Sequence, residues 1–324
     1  MSVSIVMATF NGEQYVAQQL DSILRQTVAP DEIIVRDDCS TDATLTIIEE
    51  ISKTTEIPFR IVKGRENVGY AKNFIEAIVL AKCSHIFLSD QDDVWSDDKI
   101  ESFLKVFEKA KSTLVVIGNQ MIADEHLRPT GTTTIERLSH LNKRIDRFVH
   151  GCCTAFDARI KPLVVDLPDG LAHDDWIHMI ASELDGRRVL KGCFQTYRRH
   201  AKSVAKSQTN DSLRPTASAG RCRIRRPSSE SLQVVENLRK RLNWLGTLQR
   251  KLDDSQLVGI DPSQVRRAAN RINGHIKALD RRIANISASG QSRFRIVLSA
   301  MRGDYGGFGG FGSALKDLLS MPRR

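Results

Sequence analysis

The sequence predicts an α/β fold in which a mostly parallel sheet is covered by helices, followed by a C-terminal α-helical extension. Three observations lead to this prediction. Short β-rich runs alternate with helical patterns along residues 1–120, which is typical of parallel sheets. A polar motif follows each predicted strand, and two apolar repeats at helical spacing occupy the chain after residue 230.

Four strands and the intervening helices are predicted in order. The strands cover residues 3–8, 32–36, 58–63 and 85–88, each a short run rich in β-branched or aromatic residues. The first helix follows the turn at residues 9–12 and ends near Gln26, the second passes through residues 45–51, and the third opens after Gly69. Ligands of open α/β sheets bind beyond the carboxyl ends of the strands, so the polar motifs there are expected to line one crevice.

Composition indicates a globular protein with a sizeable core. Of 324 residues, 41% are hydrophobic and 27% charged, which suits one large domain with an appendage or two domains. No apolar stretch reaches the roughly 18 residues that cross a bilayer, and the first residues lack the pattern of a secretory signal. The six cysteines form neither a C-x-x-C pair nor a zinc spacing, so we expect a cytoplasmic protein with reduced cysteines.

Charge is unevenly distributed along the chain. Residues 1–200 hold 24 Lys and Arg against 30 Asp and Glu, whereas residues 201–324 hold 24 against 9. The basic part lacks the interleaved aromatic residues that stack on bases, so no nucleic-acid partner is expected. An anionic membrane face or a phosphate-bearing acceptor fits it better, and a solvated helix surface is the alternative.

Three carboxylates, Asp90, Asp92 and Asp93, lie within four positions directly after the fourth strand. Carboxylates this close repel one another and lose solvation, so such a cluster usually persists around a divalent cation or a polar ligand. The alternative is a solvated acidic loop, and the other strand-end motifs would singly pass for turns or helix caps. Their joint placement at successive strand ends favours a metal-assisted site.

Four motifs stand in a fixed order along the chain. They are Val3-Ser-Ile-Val-Met-Ala-Thr9-Phe-Asn11-Gly12, Ile34-Val-Arg-Asp37-Asp38-Cys39-Ser40-Thr41-Asp42, Glu66-Asn67-Val-Gly69-Tyr-Ala-Lys-Asn73 and Leu88-Ser-Asp90-Gln-Asp92-Asp93-Val-Trp95. Together they resemble the motifs of family-2 glycosyltransferases, the inverting nucleotide-sugar enzymes of GT-A fold, and four in register are specific. The resemblance covers about residues 3–200 and implies a Rossmann-like, mostly parallel GT-A sheet.

The resemblance implies a set of residues that hold the donor. For the nucleoside it suggests Thr9, Asn11, Glu13 and Asp38, with Asp37 as the weaker substitute for Asp38. A carboxylate suits this role because it accepts the N3–H of uracil or thymine, or a ribose hydroxyl. Further nucleotide-sugar contacts are implied at Asn67, Gly69, Asn73, Asp90, Gly151 and Arg198.

The resemblance also implies a metal site. The D-x-D element maps to Asp90-Gln91-Asp92, with Asp92 as the metal ligand and Asp90 nearer the ribose or the bridging waters. The segment Tyr197-Arg198-Arg199-His200 resembles one found after the base in many bacterial members, which suggests His200 as a further contact to metal or phosphate. Mg²⁺ or Mn²⁺ is the expected ion, because these cations prefer hard oxygen ligands and a diphosphate completes their shell.

A second polar cluster, His173-Asp174-Asp175-Trp176, resembles the family segment that supplies the catalytic base. The base is assigned to Asp174, which opens a predicted helix where a carboxylate tends to stay ionised. The alternative is that both carboxylates merely favour the helix start. One position departs from the pattern: Cys39 stands where many members carry Gly, which leaves the conformation of that turn open.

Three regions are predicted along the chain: a catalytic domain at residues 1–205, a basic linker at 206–230, and a helical hairpin with a Gly-rich tail at 231–324. Apolar residues repeat at three and four in two stretches of the third region, as in helix pairs. Packing of the hairpin on the catalytic domain is the preferred interpretation, with a homodimer contact and peripheral membrane contact as alternatives. The tail resembles C-terminal extensions of bacterial rhamnosyltransferase-like members.

The sequence thus predicts an inverting, metal-dependent hexosyltransferase that moves a sugar from a UDP- or dTDP-sugar donor to a hydroxyl of a cell-surface glycan or lipid-linked acceptor. Transfer from dTDP-rhamnose is suggested by the resemblance alone. A sugar-phosphate nucleotidyltransferase should carry a basic, Gly-rich loop after the first strand, and residues 9–15 hold no basic residue. A non-catalytic nucleotide-sugar binding protein would need no base, and a pure oligomerisation protein would leave the strand-end carboxylates without a role.

Overall fold

The computed structural model describes residues 1–141, 145, 148–200, 228–254 and 257–287. The chain divides into two compact units, residues 1–204 with 256–264 and residues 205–255 with 265–324. The first unit is an α/β domain that contains every predicted site residue. The described part of the second unit is helical.

Nine strands of the described chain form one mixed sheet. They are β1 Val3–Thr9, β2 Glu32–Asp37, β3 Phe59–Lys63, β4 His85–Ser89, β5 Val94–Trp95, β6 Val115–Ala123, β7 Pro129–Thr133, β8 Thr154–Asp157 and β9 Arg187–Arg198. The order is β3-β2-β1-β4-β8-β6-β9-β5, with β7 paired to β6. Strands β3, β2, β1 and β4 are mutually parallel, and β8 runs antiparallel between β4 and β6.

Seven α-helices of the described residues lie between the strands in chain order, and two more follow the last strand. They are α1 Val16–Leu24, α2 Thr44–Ser52, α3 Tyr70–Leu80, α4 Lys99–Lys109, α5 Thr134–His140, α6 Lys161–Val164, α7 His173–Glu183, α8 Ser228–Asp254 and α9 Pro262–Ser287. None of the helices in this described part combines the length with the apolar character that a membrane-spanning segment requires.

The hydrophobic core explains why these residues form these elements. Strand β1 is buried on both faces, as a central parallel strand covered by helices must be. Helix α1 buries Val16, Leu20 and Ile23, whose spacing of four and three places them on one face. Helix α4 buries Phe103 and Phe107 one turn apart on the same side. Burial of such large side chains stabilises the folded state by about 1.5–3 kcal/mol each.

The direction of the strands brings the site together. Strands β1, β2 and β4 are parallel neighbours, so their carboxyl ends at Thr9, Asp37 and Ser89 meet at one edge of the sheet. Strand β9 is parallel to β6, with Arg198 paired to Ala123, and therefore delivers its carboxyl end to that same edge.

The predicted fold class is confirmed in its main features. The four early strands are found within one residue of their predicted bounds, and helix α1 ends at Leu24, two residues before the predicted end. Helices α8 and α9 cover the two apolar repeats, and Leu245, Leu248, Ile272 and Leu279 are buried. Most of the predicted linker, residues 206–227, and the Gly-rich tail lie outside the described residues.

Candidate active site

The crevice at the carboxyl edge of the sheet begins with the turn after β1. The Thr9 hydroxyl donates to Asp37 Oδ2 at 2.9 Å, and Asp37 Oδ1 accepts from the backbone N–H of Ser40 at 2.7 Å. Asp37 is fully buried by these contacts. It therefore fixes the turn between β2 and α2.

Asn11 and Glu13 connect the turn after β1 to the start of α2. Asn11 Oδ1 accepts from the N–H of Thr41 at 2.9 Å, and Glu13 Oε2 accepts from the N–H of Ala43 at 2.9 Å. Asn11 has a φ of 46°, in the left-handed region that asparagine tolerates better than most residues. Glu13 stays exposed and Asn11 partly exposed, so both border the crevice.

Asp38 holds the motif that opens α3. Its two carboxylate oxygens accept from the N–H groups of Val68 and Gly69, each at 2.8 Å, and the Asn67 amide donates to the Asp38 carbonyl at 3.3 Å. Gly69 has a φ of 81°, which favours glycine over any residue with a side chain. Asp38 is buried in this state, whereas Asn67 is exposed.

Asn73 lies below the crevice rather than in it. Its amide oxygen accepts from the Arg36 guanidinium at 2.5 Å, and its amide nitrogen donates to the Arg36 carbonyl at 3.0 Å. Asn73 is buried, so its side chain braces α3 against β2. Its polar groups are therefore turned toward the interior, away from the position implied for a donor contact.

The acidic loop, defined as residues 90–93, follows β4. Gln91 joins it to the turn after β1, since its side-chain amide bonds both backbone groups of Phe10. Asp92 Oδ2 lies 2.7 Å from His200 Nε2, which pairs the two residues implied as metal ligands across 108 positions of sequence. The predicted convergence of these two residues is therefore present in the structure.

Arg198 braces the acidic loop from strand β9. Its Nε donates to the Asp92 carbonyl at 2.8 Å, its backbone N–H donates to Asp93 Oδ1 at 3.1 Å, and its guanidinium lies over the Tyr15 ring. Further guanidinium bonds reach the Glu125 carbonyl and the Gln18 side chain. Arg198 is buried, and these contacts make it a support of the loop.

Asp90, Asp93 and Cys152 form a compact group, with one ligand atom from each within 4.8 Å of the others. Burial raises the pKa of Asp90 well above its ordinary range, and the charges of Asp92, Asp93 and Asp174 add to the effect. Burial and the Asp92 charge raise the pKa of Asp93 to about 7. A bound cation would favour the ionised form of these carboxyls, because an opposite charge stabilises a carboxylate.

Asp174 lies in the first turn of α7, beside the Gly151 turn, a short turn of residues Gly151–Cys153 that begins at one of the implied nucleotide-sugar contacts. Its Oδ2 accepts from the Gly151 N–H at 3.1 Å, and its Oδ1 accepts from the Asp175 N–H at 2.9 Å. Asp174 is partly exposed, and its charge acts on Asp90 across the crevice. The structure thus places Asp174 against Gly151, and the charge of Asp174 also acts on Asp90.

An aromatic group borders Asp174. His173 is buried and stacks on Phe74 with ring centroids 4.2 Å apart, while the Tyr70 ring stands edge-on to it at 6.0 Å. Burial raises the pKa of Tyr70, and the charges of Asp174, Asp175 and Asp90 raise it further, so its phenol faces the same carboxylates. Tyr70 is 48% exposed and offers its ring to the crevice.

Sequence reasoning missed the contact of Gln91 with Phe10 and a set of buried residues beneath the acidic loop: Lys99, Gln120, Cys152 and Gln195. The sequence pattern could have indicated that Lys99 is buried. It stands four residues before Phe103 and eight before Phe107, on the apolar face of α4. A lysine on a buried helix face is uncommon and requires partners. The glutamines carry no such signal, since their partners are distant in sequence.

Residues 4–160 match the family model described as Glycosyl transferase family 2. The matched residues include β1 from Ser4 onward, β2, β4, the acidic loop and the Gly151 turn. Residues 4–160 of the first unit therefore form a family-2 glycosyltransferase domain, and the resemblance seen in the sequence motifs is confirmed.

Two curated relatives match parts of the chain. An uncharacterised protein of Mycobacterium tuberculosis is 28% identical over 218 residues, covering 64% of this chain and 62% of the relative. The dTDP-rhamnosyl transferase RfbG of Shigella flexneri is 40% identical over 100 residues, covering 30% of this chain and 35% of the relative. The chain thus spans about three fifths of the length of its mycobacterial relative and about a third of RfbG.

Solved structures show the same fold. The crystal structure of S. aureus TarS 1-349 in complex with UDP superposes with a TM-score of 0.55 at 14% identity, covering 98% of this chain and 89% of that chain. The complex of the same protein with UDP-GlcNAc gives a TM-score of 0.55 at 17% identity, covering 98% and 90%. The likeness at this identity concerns the fold alone.

Proposed function

We propose that the chain is an inverting glycosyltransferase that moves a sugar from a UDP- or dTDP-sugar to a hydroxyl of a cell-surface glycan or lipid-linked acceptor. One observation carries the proposal. A partly exposed carboxylate, Asp174, is held beside the Gly151 turn and acts electrostatically on Asp90 of the acidic loop. This supplies a base opposite a cation-binding loop, the two groups that such a transfer needs.

The nucleoside would bind along the turn after β1. Asn11, Glu13 and Asn67 border the crevice with polar groups, and Thr9 and Asp38 support it from below. Phe10 is 46% exposed next to them, and its ring offers a face on which a base would stack. The relative RfbG supports dTDP-rhamnose as the donor to test first.

The acidic loop fits a divalent cation. Asp90 and Asp92 offer carboxylate oxygens, and His200 offers an imidazole nitrogen beside Asp92. Mg²⁺ or Mn²⁺ suits this donor set, with Asp92 and His200 as the proposed ligands and Asp90 toward the ribose or bridging waters. Bound there, the cation would supply Lewis-acid neutralisation of the charge that develops on the departing nucleoside diphosphate.

Asp174 would take the acceptor proton. As the acceptor oxygen forms its bond to the anomeric carbon, the bond from that carbon to the diphosphate oxygen breaks, and the nucleoside diphosphate leaves with the electron pair. The hydroxyl proton passes to the Asp174 carboxylate, which the N–H groups of Gly151 and Asp175 hold in place. A single displacement of this kind inverts the anomeric configuration.

The basic region after residue 200 would bring the enzyme to acceptors on lipid carriers at the inner face of the plasma membrane. Its net charge of +15 supports attraction to anionic lipids, which screening by salt weakens. Sedimentation with anionic and with neutral vesicles, at low and at high salt, tests this part. Equal sedimentation with both vesicle types would contradict it.

The central test is a screen of nucleotide sugars for release of nucleoside diphosphate, with Mg²⁺ or Mn²⁺ and with a chelator. Asp174→Asn should lower kcat by about 10²–10⁴-fold, because a general base contributes that much. Nucleotide affinity should stay within about twofold. Asp185→Asn, at the other end of α7, is the matched control, since Asp185 is exposed and has a φ of 56° that asparagine also adopts.

Three outcomes separate the alternatives. Metal-dependent release that Asp174→Asn abolishes supports the transferase. Nucleotide-sugar binding without turnover of any donor would favour a non-catalytic binding protein. Pyrophosphate release from a nucleoside triphosphate and a sugar 1-phosphate would instead indicate a nucleotidyltransferase.

A further inference from the structure

We infer that Lys99 is a positioning residue for this reaction. Its buried ammonium fixes the position of the Gly151 turn, which lies beside the proposed base, relative to the acidic loop. The inference deepens the proposed function and rests on it. Lys99 lies at the start of α4, outside the four sequence motifs, and takes no direct part in the transfer described above.

The contacts of Lys99 are made entirely in the interior. Its side chain is 0% exposed, and its Nζ donates to the Cys152 carbonyl at 2.9 Å and to Gln195 Oε1 at 2.6 Å. The ammonium also lies 3.6 Å from the centroid of the Trp95 ring. These partners belong to three different segments: the Gly151 turn, strand β9 and strand β5.

Gln195 extends the connection to the acidic loop. Its Nε2 donates to Asp93 Oδ2 at 2.8 Å and approaches Gln120 Oε1 at 3.0 Å and the Cys152 thiol at 3.1 Å. Asp93 in turn accepts from the Arg198 N–H at 3.1 Å. Lys99 and Gln195 therefore form one hydrogen-bonded network, and all of its side chains are buried.

A continuous chain of contacts joins the proposed base to the acidic loop through Lys99. Asp174 accepts from Gly151, the next residue Cys152 offers its carbonyl to Lys99, and Lys99 reaches Asp93 through Gln195. The distance between the base and the departing diphosphate depends on this chain. A displacement of about 1 Å in such a geometry slows a reaction by up to 10²-fold.

Burial of an ammonium is costly, so a packing role alone does not account for Lys99. Methionine or leucine would fill the same place on the apolar face of α4 without the cost of desolvation. Burial lowers the pKa of Lys99 to about 8. The charges of Cys153, Cys152, Asp93 and Asp90 act in the opposite direction and limit this decrease. The side chain is thus a cation near neutral pH, surrounded by the acceptors that it orients.

The test compares Lys99→Met with Lys105→Met, a lysine of the same helix that is 60% exposed and forms an ion pair with Glu101. Lys99→Met should lower kcat at least about tenfold, while the KM for the donor and the affinity for nucleoside diphosphate stay within about twofold. Rates are measured well below each melting temperature and normalised to nucleotide-binding sites. A role confined to folding would lower the melting temperature and leave the normalised kcat unchanged.

Gln195→Met provides the second arm, because it severs the connection to Asp93 and leaves the bond from Lys99 to the Cys152 carbonyl. The double variant should be no more than about threefold slower than the slower single variant, since both changes break one network. Multiplicative losses would overturn the inference. Gln195→Met also keeps the inference testable if Lys99→Met does not fold.

A readout without turnover separates this inference from the proposed function. Amide hydrogen exchange of residues 150–154 should be faster in Lys99→Met than in Lys105→Met. Equal exchange, or a normalised kcat equal to that of Lys105→Met, would overturn the role of Lys99 in an active enzyme. Absence of turnover by the wild type with every donor would instead reject the proposed function, while the exchange result still reports on the connection.

Discussion

The side chain of Gln91 forms two hydrogen bonds to the backbone of Phe10. Its Nε2 donates to the Phe10 carbonyl at 3.0 Å, and its Oε1 accepts from the Phe10 N–H at 2.9 Å. The turn after β1 and the acidic loop after β4, 81 positions apart, are joined in this way. The same contact explains Gly12, because a Cβ there would lie 2.3 Å from Gln91 Oε1.

Gln91→Met should weaken nucleotide binding about tenfold, since each lost hydrogen bond contributes about 0.5–1.5 kcal/mol and the turn after β1 loses its brace. Gly12→Ala should act in the same direction, because the added methyl displaces Gln91. Isothermal titration with UDP and dTDP measures the effect. Gln14→Met, an exposed position of the same turn, is the control. Unchanged affinity in both variants would mean that the two loops hold their positions independently.

His200→Gln should raise the concentration of Mn²⁺ or Mg²⁺ needed for half-maximal activity about tenfold, because it removes the nitrogen beside Asp92. Nucleotide affinity in the absence of metal should not change. His126→Gln serves as the control, since His126 is 64% exposed. A metal requirement equal to that of the control would indicate that His200 only orients the loop.

His173→Phe should reduce the sensitivity of the fold to acid. Burial lowers the pKa of His173 to about 4, so the folded state keeps this ring neutral at a pH where the unfolded chain, with a pKa near 6.5, takes up a proton. The free energy of unfolding contributed by His173 therefore falls as the pH drops from about 6.5 to 4, by about 2 kcal/mol at pH 5.

The measurement for His173 is urea denaturation at pH 7 and pH 5. The difference between the two pH values should be smaller in His173→Phe than in the wild type, and a constant packing cost cancels in that comparison. Neither ring nitrogen of His173 has a hydrogen-bond partner among the described residues, so phenylalanine loses no bond there. His126→Phe is the control, and an identical pH dependence in wild type and His173→Phe would contradict the prediction.

Cys39→Gly should keep or raise the stability of the protein, whereas Cys39→Val should lower it by about 1–2 kcal/mol. Cys39 has a φ of 67°, a left-handed conformation that glycine adopts freely and a β-branched residue adopts poorly. Thermal unfolding of both variants checks the difference. Cys193→Val, at an exposed position of strand β9, controls for loss of a thiol. Equal melting temperatures for the Gly and Val variants at position 39 would contradict this account.

The sequence motifs predicted which residues follow the strands, because each motif is a local pattern at a strand end. Asp38, Asn67 and Gly69 are joined by hydrogen bonds, as their positions after parallel strands imply. The position of Asn73 differs, because its amide completes a buried bond with Arg36 instead of facing the crevice. Backbone conformation distinguishes two of the turn residues, because Cys39 and Asn11 both have positive φ.

The antiparallel strand β8 and the network around Lys99 were not predicted. Both depend on pairings between segments that are far apart, such as Phe87 with Ala155 and Lys99 with Gln195. A glutamine in a strand has the same local pattern whether it faces solvent or a buried lysine. Only the placement of α4 beside β9 determines which of these applies.

The sequence by itself determined the order of the first four strands and the helices between them, the acidic loop after β4 and the two helices after residue 227, because hydrophobic periodicity and strand-end motifs are local properties. The tertiary structure decided which carboxylates share a site. Asp92 contacts His200, which lies 108 positions later in the sequence, and Asp174 accepts a hydrogen bond from the Gly151 N–H at 3.1 Å. The pairing of the strands sets both distances. Register and packing are collective properties of the whole chain, and no short segment contains them.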